Sequence, residues 1–177
     1  MSQTQPSPQT VNVYWTELRY AEWHLVVAAT EEGLCYVGSQ GGSQPEFTAW
    51  AQARFGDRCV LSHDEGKLAS YVSQLTEYLQ GVRKTFDVPT DLRGTEFQQS
   101  VWSAMNEIAY GQTATYSQIA ERIGKPEAVR AVGTAIGRNP ALIALPCHRI
   151  VGKNGTLTGY RGGLKMKERL LGLESRR

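Results

Sequence analysis

An unbroken apolar run, Ala141-Leu142-Ile143-Ala144-Leu145, ends on Pro146, and no other stretch constrains this chain as tightly. Five consecutive apolar residues need cover on every side, so the run is expected to be a buried strand. Pro146 has no N–H to donate, so the strand is expected to stop there. Cys147 then stands where ordered core gives way to a turn, with His148 and Arg149 directly after it. A titratable base and a permanent cation beside a thiol both favour the thiolate, the nucleophilic form of cysteine. A lone cysteine more commonly packs as a small hydrophobe. Packing alone, however, needs none of the Pro, His and Arg that surround this one.

The chain of 177 residues has room for one large domain or two small ones with a real core. Its three cysteines, Cys35, Cys59 and Cys147, are few, odd in number and unpatterned. That argues against a disulfide framework and for a reducing compartment, read here as the cytoplasm. Neither a signal peptide nor a long apolar span is visible, so no membrane partner is expected, and the Gln- and Pro-rich first ten residues read as a frayed tail. The net charge of +2 hides an asymmetry. Residues 1–90 carry 6 Lys/Arg against 10 Asp/Glu, a net of −4, while residues 91–177 carry 13 against 7, a net of +6. A basic half beside an acidic one suggests that one face meets a polyanion.

The first half reads as strands followed by helices. Val11 to Arg19, Trp23 to Thr30 and Leu34 to Ser39 are separated by short turns, as in an antiparallel meander. Glu46 to Phe55 and Gly66 to Leu79 have helical spacing, and Val82 to Val88 is a candidate further strand. Pro89 to Gly94 resembles a linker, which divides the chain at residues 90 and 91. Cys59 with His63 is the one metal-like pair in this half, and no second pair completes a four-ligand zinc site, so no metal is expected.

The second half carries stronger marks. Thr95-Glu96-Phe97-Gln98 fits a capping box that opens a helix through Phe97, Val101, Trp102, Met105 and Ile108. A short helix follows from Tyr116, with Ser117 as its expected cap. Gly124-Lys125-Pro126 then makes a turn, and Glu127 to Ile136 is expected as a second helix with Pro126 in its first turn. Short helix, glycine-containing turn, second helix is the outline of a helix-turn-helix. Along the second helix Ala128, Val129, Ala131, Val132, Gly133, Thr134 and Ala135 leave only Arg130, Arg138 and Asn139 long or polar enough to reach a base edge or a phosphate. Such a helix approaches a groove closely and reads backbone and shape rather than base sequence. Arg130, a single long cation on a bare surface, has the reach to fill a gap in a base stack; an ion pair with Glu127 or Glu121 is the plainer use.

Beyond the cysteine, Gly152-Lys153-Asn154-Gly155 signals a turn between short strands. Thr158 to Gly163 is a Gly-rich loop suited to close backbone approach, and Leu164 to Leu173 is expected as a helix carrying Lys165, Lys167 and Arg169. Glu174 stands near the end, where it can orient His148.

Pro146-Cys147-His148-Arg149, with Tyr116, Arg130-Ala131-Val132-Gly133, Asn139-Pro140, Gly159-Tyr160-Arg161-Gly162-Gly163 and Glu174, resembles the O6-alkylguanine-DNA alkyltransferases over about residues 94–174. The resemblance implies an α/β (α+β) fold, with an N-terminal RNase H-like antiparallel sheet domain and a C-terminal helix-turn-helix, winged-helix-like domain that holds the site. It implies transfer of an alkyl group from O6 of guanine in double-stranded DNA to Cys147, once per molecule and with no cofactor, after the nucleotide is flipped out of the duplex. O4-methylthymine is a further substrate to consider. In that scheme His148, oriented by Glu174, activates Cys147 through a water, and Tyr116 donates toward the leaving base. Asn139 braces the turn. Arg130 fills the vacated stack, while Tyr160 and Arg161 wall the pocket. The carbonyls of Cys147 and Ile150 accept from the exocyclic amine. Ala131, Gly133, Ile136 and Lys167 complete the DNA- and substrate-binding set. A monomer in solution is expected, with cooperative binding on DNA left open. Two other readings compete: a helix-turn-helix module that binds lesions without chemistry, and a Cys-His hydrolase, which would need an oxyanion hole and turnover.

Overall fold

The computed structural model describes residues 9–176; most of the expected N-terminal tail, residues 1–8, lies outside them. Strands β1 (Val11–Tyr20), β2 (Trp23–Ala29) and β3 (Leu34–Val37) form the antiparallel meander that the turns announce. β4 (Cys59–His63) then pairs in parallel with β1, giving the order β3-β2-β1-β4. The sheet is therefore mixed rather than wholly antiparallel. The fourth strand comes from the stretch that holds the metal-like pair, and His63 has its ring edge-on to Trp15 at 4.8 Å.

Helices cover both faces of the sheet, which explains why β2 is apolar almost throughout instead of alternating. On one face α1 (Gln44–Phe55) packs Phe47, Ala51 and Phe55, one helical turn apart, against Val13, Val26 and Ala28. On the other face α2 (Glu65–Leu79) buries Leu68, Leu75, Tyr78 and Leu79 against Leu18, Leu25 and Val27. Asp64 caps α2 by accepting from the Lys67 N–H at 2.9 Å. Val82 to Val88 is a loop, not a strand. Its amides turn back on α2: those of Val82 and Arg83 donate to the Glu77 carbonyl, and that of Asp87 to the Gln74 side chain.

The C-terminal domain begins with α3 (Glu96–Asn106), opened by the expected Thr95–Gln98 capping box with both of its bonds formed. A second box, Thr115 with Gln118, opens α4 (Tyr116–Arg122), so the cap is Thr115 and not Ser117. Pro126 lies in a turn closed by the Ala128 N–H on the Lys125 carbonyl. The next helix, α5 (Val129–Gly137), therefore starts two residues later than the sequence suggests. Two-residue strands β5 (Ala114–Thr115) and β6 (Ile150–Val151) pair in parallel. After β6 the chain makes a 3₁₀ turn at Lys153–Gly155 with no second strand beyond it among the described residues, and α6 (Leu164–Ser175) follows.

The largest correction concerns Ala141–Leu145, which is buried as expected but is not a strand. Only Ala141 bridges to a neighbour, Val37 of β3. The Ala144 N–H then donates to the Leu142 carbonyl around Ile143, whose φ is +72°, and the Cys147 N–H donates to the Leu145 carbonyl around Pro146 at φ −82°, ψ 56°. These are two tight three-residue turns in succession. The run satisfies its backbone through turns and a single bridge, and so folds back on itself beneath the cysteine.

One hydrophobic cluster runs from Leu25, Val27 and Leu75 through Trp102 and Ile119 to Leu142 and Met166, so the two domains share a core.

Candidate active site

The chain from Asn139 to Val151 passes through the centre of the molecule, and its polar side chains are held by named partners. Asn139 is fully buried. Its Nδ2 donates to the Leu145 carbonyl and to Cys147 Sγ, both at 3.0 Å, while its Oδ1 accepts from the Ala141 N–H at 2.9 Å. All three bonds tie the double turn together, and one of them ends on the sulfur. Arg161 ties the same segment to the N-terminal domain: Nε donates to the Asn139 carbonyl at 2.9 Å, and Nη2 to Val37 and Pro140 at 2.8 and 3.1 Å. It is a strut as much as a wall.

Cys147 is 3% exposed and lies against a cavity of about 270 Å³. Gly133, Ile136 and Gly137 of α5 form one side of the cavity; Gly159, Tyr160 and Arg161 form the other, with Tyr116 at the edge. The Tyr116 hydroxyl pairs with the Thr158 hydroxyl at 2.9 Å. Gly162 is needed where it stands, because a Cβ there would lie 2.5 Å from Met166 Sδ and 2.7 Å from the Tyr160 ring. The Tyr160 hydroxyl is buried with no hydrogen-bond partner among the described residues. Of the residues expected to touch DNA, Arg130 and Ala131 are exposed on α5, and Arg130 makes no ion pair among the described residues, with Glu127 and Glu121 or otherwise.

Behind the cysteine, His148 is completely buried, with Nε2 2.7 Å from Glu174 Oε1 and Nδ1 without a partner among the described residues. Two groups outside the sequence-based set complete this layer. Arg149 binds Glu174 through Nε and Nη2, at 3.0 Å to Oε2 and 2.9 Å to Oε1, and donates from Nη1 to the Ile108 carbonyl. Tyr78, from the N-terminal domain, donates its hydroxyl to Glu174 Oε1 at 2.6 Å. The Gly111 N–H caps the other oxygen at 3.1 Å. The sequence carried a signal for Arg149, which is adjacent to His148, but none for Tyr78, which reads as one apolar position of the α2 stripe.

Two expectations are overturned. Arg149 does not sit by the thiol; it turns inward because Glu174 is a buried anion that needs a counter-charge. Lys167 is not a surface cation: it is 0% exposed, and its Nζ donates to the carbonyls of Ile150 and Thr158, pinning the Gly-rich loop to β6. The Ile150 carbonyl therefore already accepts one hydrogen bond, and the Ile150 side chain is core.

The electrostatics describe a site at rest. Burial pushes the Cys147 thiol up to about 11, against the opposing pull of the Asn139 bond and the Arg161 and Lys167 charges. Burial also lowers His148, outweighing Glu174. Burial would raise Glu174, but the hydrogen bonds from His148 and Arg149 win and hold it at about 2. Thiol and imidazole are thus both neutral at pH 7, and the Glu174 charge is cancelled by Arg149.

Comparison with known proteins places this arrangement. The DNA-binding domain of 6-O-methylguanine DNA methyltransferase matches residues 96–176, and the ribonuclease-like domain of the same proteins matches residues 13–92. The chain belongs to the O6-methylguanine DNA methyltransferase family. It is 52% identical over 164 residues to the inducible methylated-DNA–protein-cysteine methyltransferase of Bacillus subtilis, covering 93% of this chain and 91% of that one. Identity to the methylated-DNA–protein-cysteine methyltransferase of Methanosarcina acetivorans is 47%, covering 85% and 90%. Among solved structures, that of Mycobacterium tuberculosis OGT in complex with DNA superposes with a TM-score of 0.76 at 38% identity, over 93% of each chain. Like its relatives, this methyltransferase is an enzyme of DNA repair that acts on a protein cysteine. No helix among its described residues is long and apolar enough to cross a membrane.

Glu174→Gln leaves the Arg149 guanidinium buried without its counter-charge, and should cost about 3–5 kcal/mol in urea unfolding. Glu174 has a folded pKa below its unfolded one, so its contribution is complete above pH 4.5 and is lost as pH falls toward about 2. The melting temperature of the native protein should fall through that window, and that of the variant should fall less steeply.

Proposed function

We propose that Cys147 Sγ accepts the alkyl group from O6 of a guanine flipped out of duplex DNA, irreversibly and once per molecule. The observation that carries this reading is the cysteine at the wall of a cavity between α5 and the Gly-rich loop, backed by a buried His148–Glu174 pair. The cavity takes a single base, not a duplex, so the target nucleotide has to leave the stack, at a cost of a few kcal/mol. Arg130, exposed on α5 and unpaired among the described residues, supplies the side chain that fills the gap, while Ala131 and Gly133 let the helix approach closely. The basic C-terminal half faces the backbone phosphates.

In the reaction the Sγ–H proton passes through a water to the free Nδ1 of His148. The thiolate attacks the alkyl carbon, an S–C bond forms, and the C–O6 bond breaks with its electron pair leaving on guanine. Tyr116 gives its hydroxyl proton to the guanine anion, and the proton held by His148 returns through water to the Tyr116 phenolate, so that the thiol proton is the one guanine finally keeps. Glu174 holds the imidazole in the tautomer whose Nδ1 is a base. The second lone pairs of the Cys147 and Ile150 carbonyls, with the unpartnered Tyr160 hydroxyl, are available to the base edge. Asn139 keeps the sulfur in place, and Ile136 packs against the cavity from α5. The product is an unactivated thioether that no neighbouring group can cleave, which makes the protein its own acceptor. The division at residues 90 and 91 would assign this chemistry to the C-terminal domain and its support to the N-terminal one.

Intact-protein mass after incubation with a duplex holding one O6-methylguanine should rise by one methyl group and saturate at one per molecule. Cys147→Ala should show no gain, and a duplex with O4-methylthymine extends the same assay to that base. Duplex binding without any mass gain in the native protein would favour a lesion-binding module instead. Arg130→Ala should slow transfer from duplex about tenfold more than transfer from free O6-alkylguanine, because only the duplex must be unstacked. Equal losses on both substrates would remove Arg130 from the flipping step.

A further inference from the structure

The hydroxyl of Tyr78 reaches the reacting residues from the other domain. Its ring is fully buried and stands edge-on to Tyr110 and His148, with centroids 6.0 and 6.3 Å away. Its Oη donates to Glu174 Oε1 at 2.6 Å and lies 3.3 Å from His148 Nε2. The same oxygen receives His148 Nε2 and, from Arg149, both Nη2 and Nε, so four donors converge on an atom with two lone pairs. We propose that Tyr78 is a positioning residue through which the N-terminal domain limits the basicity of His148, by drawing on the carboxylate oxygen that the imidazole depends on. The proposal rests on the reading of Cys147, His148 and Glu174 as the reacting set.

The charged and titratable groups facing the imidazole are Tyr78 from α2, Glu174 and Lys167 from α6, and Cys147 and Arg149 beside it, with Tyr110 behind Tyr78. Arg149 cancels Glu174, Lys167 adds positive charge, and burial holds the Tyr78 phenol in its neutral, donating form. Without the phenol, Oε1 has more density for Nε2–H, and the imidazolium is favoured. A half-unit rise in the His148 pKa makes the thiolate–imidazolium pair about threefold more populated.

Tyr78→Phe keeps the ring and removes only the hydroxyl, so alkylation of Cys147 should become about threefold faster at neutral pH, with the acid limb of its pH profile displaced upward. Two reagents, iodoacetamide and free O6-benzylguanine, are followed by mass and peptide mapping at Cys147, and the His148 imidazole is titrated by ¹⁵N NMR. A slower variant with an unmoved profile and an unmoved His148 titration would overturn the proposal, since that is what a packing role predicts. A displaced iodoacetamide profile with no transfer from benzylguanine in any variant would uphold Tyr78 and remove the alkylguanine reading.

A second observation is independent of the first. A cleft of about 270 Å³ lies between α1 and the C-terminal end of α5, and it shares Gly137 and Arg161 with the cysteine cavity. Arg54 of α1, Arg138 and Arg161 line it together with Trp50 and Gln98, and none of its lining residues is acidic. Arg161 is committed to carbonyls, whereas the side chains of Arg54 and Arg138 make no hydrogen bond or ion pair among the described residues. Arg54 is half-buried within reach of the Arg93–Asp91 ion pair, whose two charges act on it in opposite senses. We infer that this cleft is an anion subsite for a DNA phosphodiester near the flipped nucleotide, with one cation from each domain.

The slope of log affinity against log salt for an undamaged duplex counts the phosphates neutralised, at about 0.9 per contact. Arg54→Gln should lower its magnitude by about one, and Arg54→Lys, which keeps the charge, should preserve it. Arg138→Gln should lower it comparably. A slope unchanged by Arg54→Gln overturns the subsite whatever Arg138→Gln does, because Arg138 alone would be an ordinary contact of the DNA-facing helix.

Discussion

The Glu174 carboxylate is the point on which the site depends. It is 5% exposed and takes hydrogen bonds from His148, Arg149, Tyr78 and the Gly111 N–H. A buried carboxylate is tolerable only with this degree of satisfaction, and its partners come from three separate parts of the chain. Tyr78 brings α2, Gly111 the loop after α3, and His148 and Arg149 the turn after the cysteine. One anion therefore fixes the position of the imidazole, the orientation of the cysteine turn and the contact between the two domains.

The sulfur itself is set by the backbone. Two successive three-residue turns around Ile143 and Pro146 present Cys147, and Asn139 holds both turns and the sulfur with one amide. Ile143 is a β-branched residue at a φ of +72°, a conformation such residues rarely adopt. The surroundings over-determine it. Its side chain is 1% exposed, and the flanking residues are tied to β3 by the Val37 N–H on Pro140 and the Leu142 N–H on Val37. The N-terminal sheet is thus a template against which the cysteine segment is folded.

That arrangement explains what was legible in the sequence. Local signals were: the Thr95–Gln98 box, the meander turns, the two N-terminal helices, and the Pro-Cys-His-Arg motif all rest on interactions within a few residues. The turns of Ala141–Leu145 are not legible, because five apolar residues announce burial but not how the backbone satisfies itself, and here turns replace the ladder. Charge places Arg149 beside the thiol, and the resemblance places Lys167 in the DNA- and substrate-binding set. A cation near the surface and a cation paired with a buried acceptor have the same letter, and the acceptors, Glu174 and the Ile150 and Thr158 carbonyls, are met only in three dimensions. Tyr78 was invisible for the opposite reason. Its ring satisfies the apolar stripe of α2, so nothing in the pattern calls for the hydroxyl.

The resting protonation of the site has a chemical consequence. A thiol pushed up to about 11 beside a neutral imidazole is a poor nucleophile toward whatever reaches it by chance. Under the proposed single-use reaction that restraint is a gain, since a standing thiolate would be spent on any small electrophile. The charges that could release the thiol, Arg161 and Lys167, are engaged with carbonyls of the loops that shape the cavity. Reactivity is then tied to occupancy. In the proposed reaction a base that fills the cavity brings the alkyl carbon to the sulfur while the thiol proton leaves through the water to His148, so that the thiolate needs to exist only while its substrate is in place.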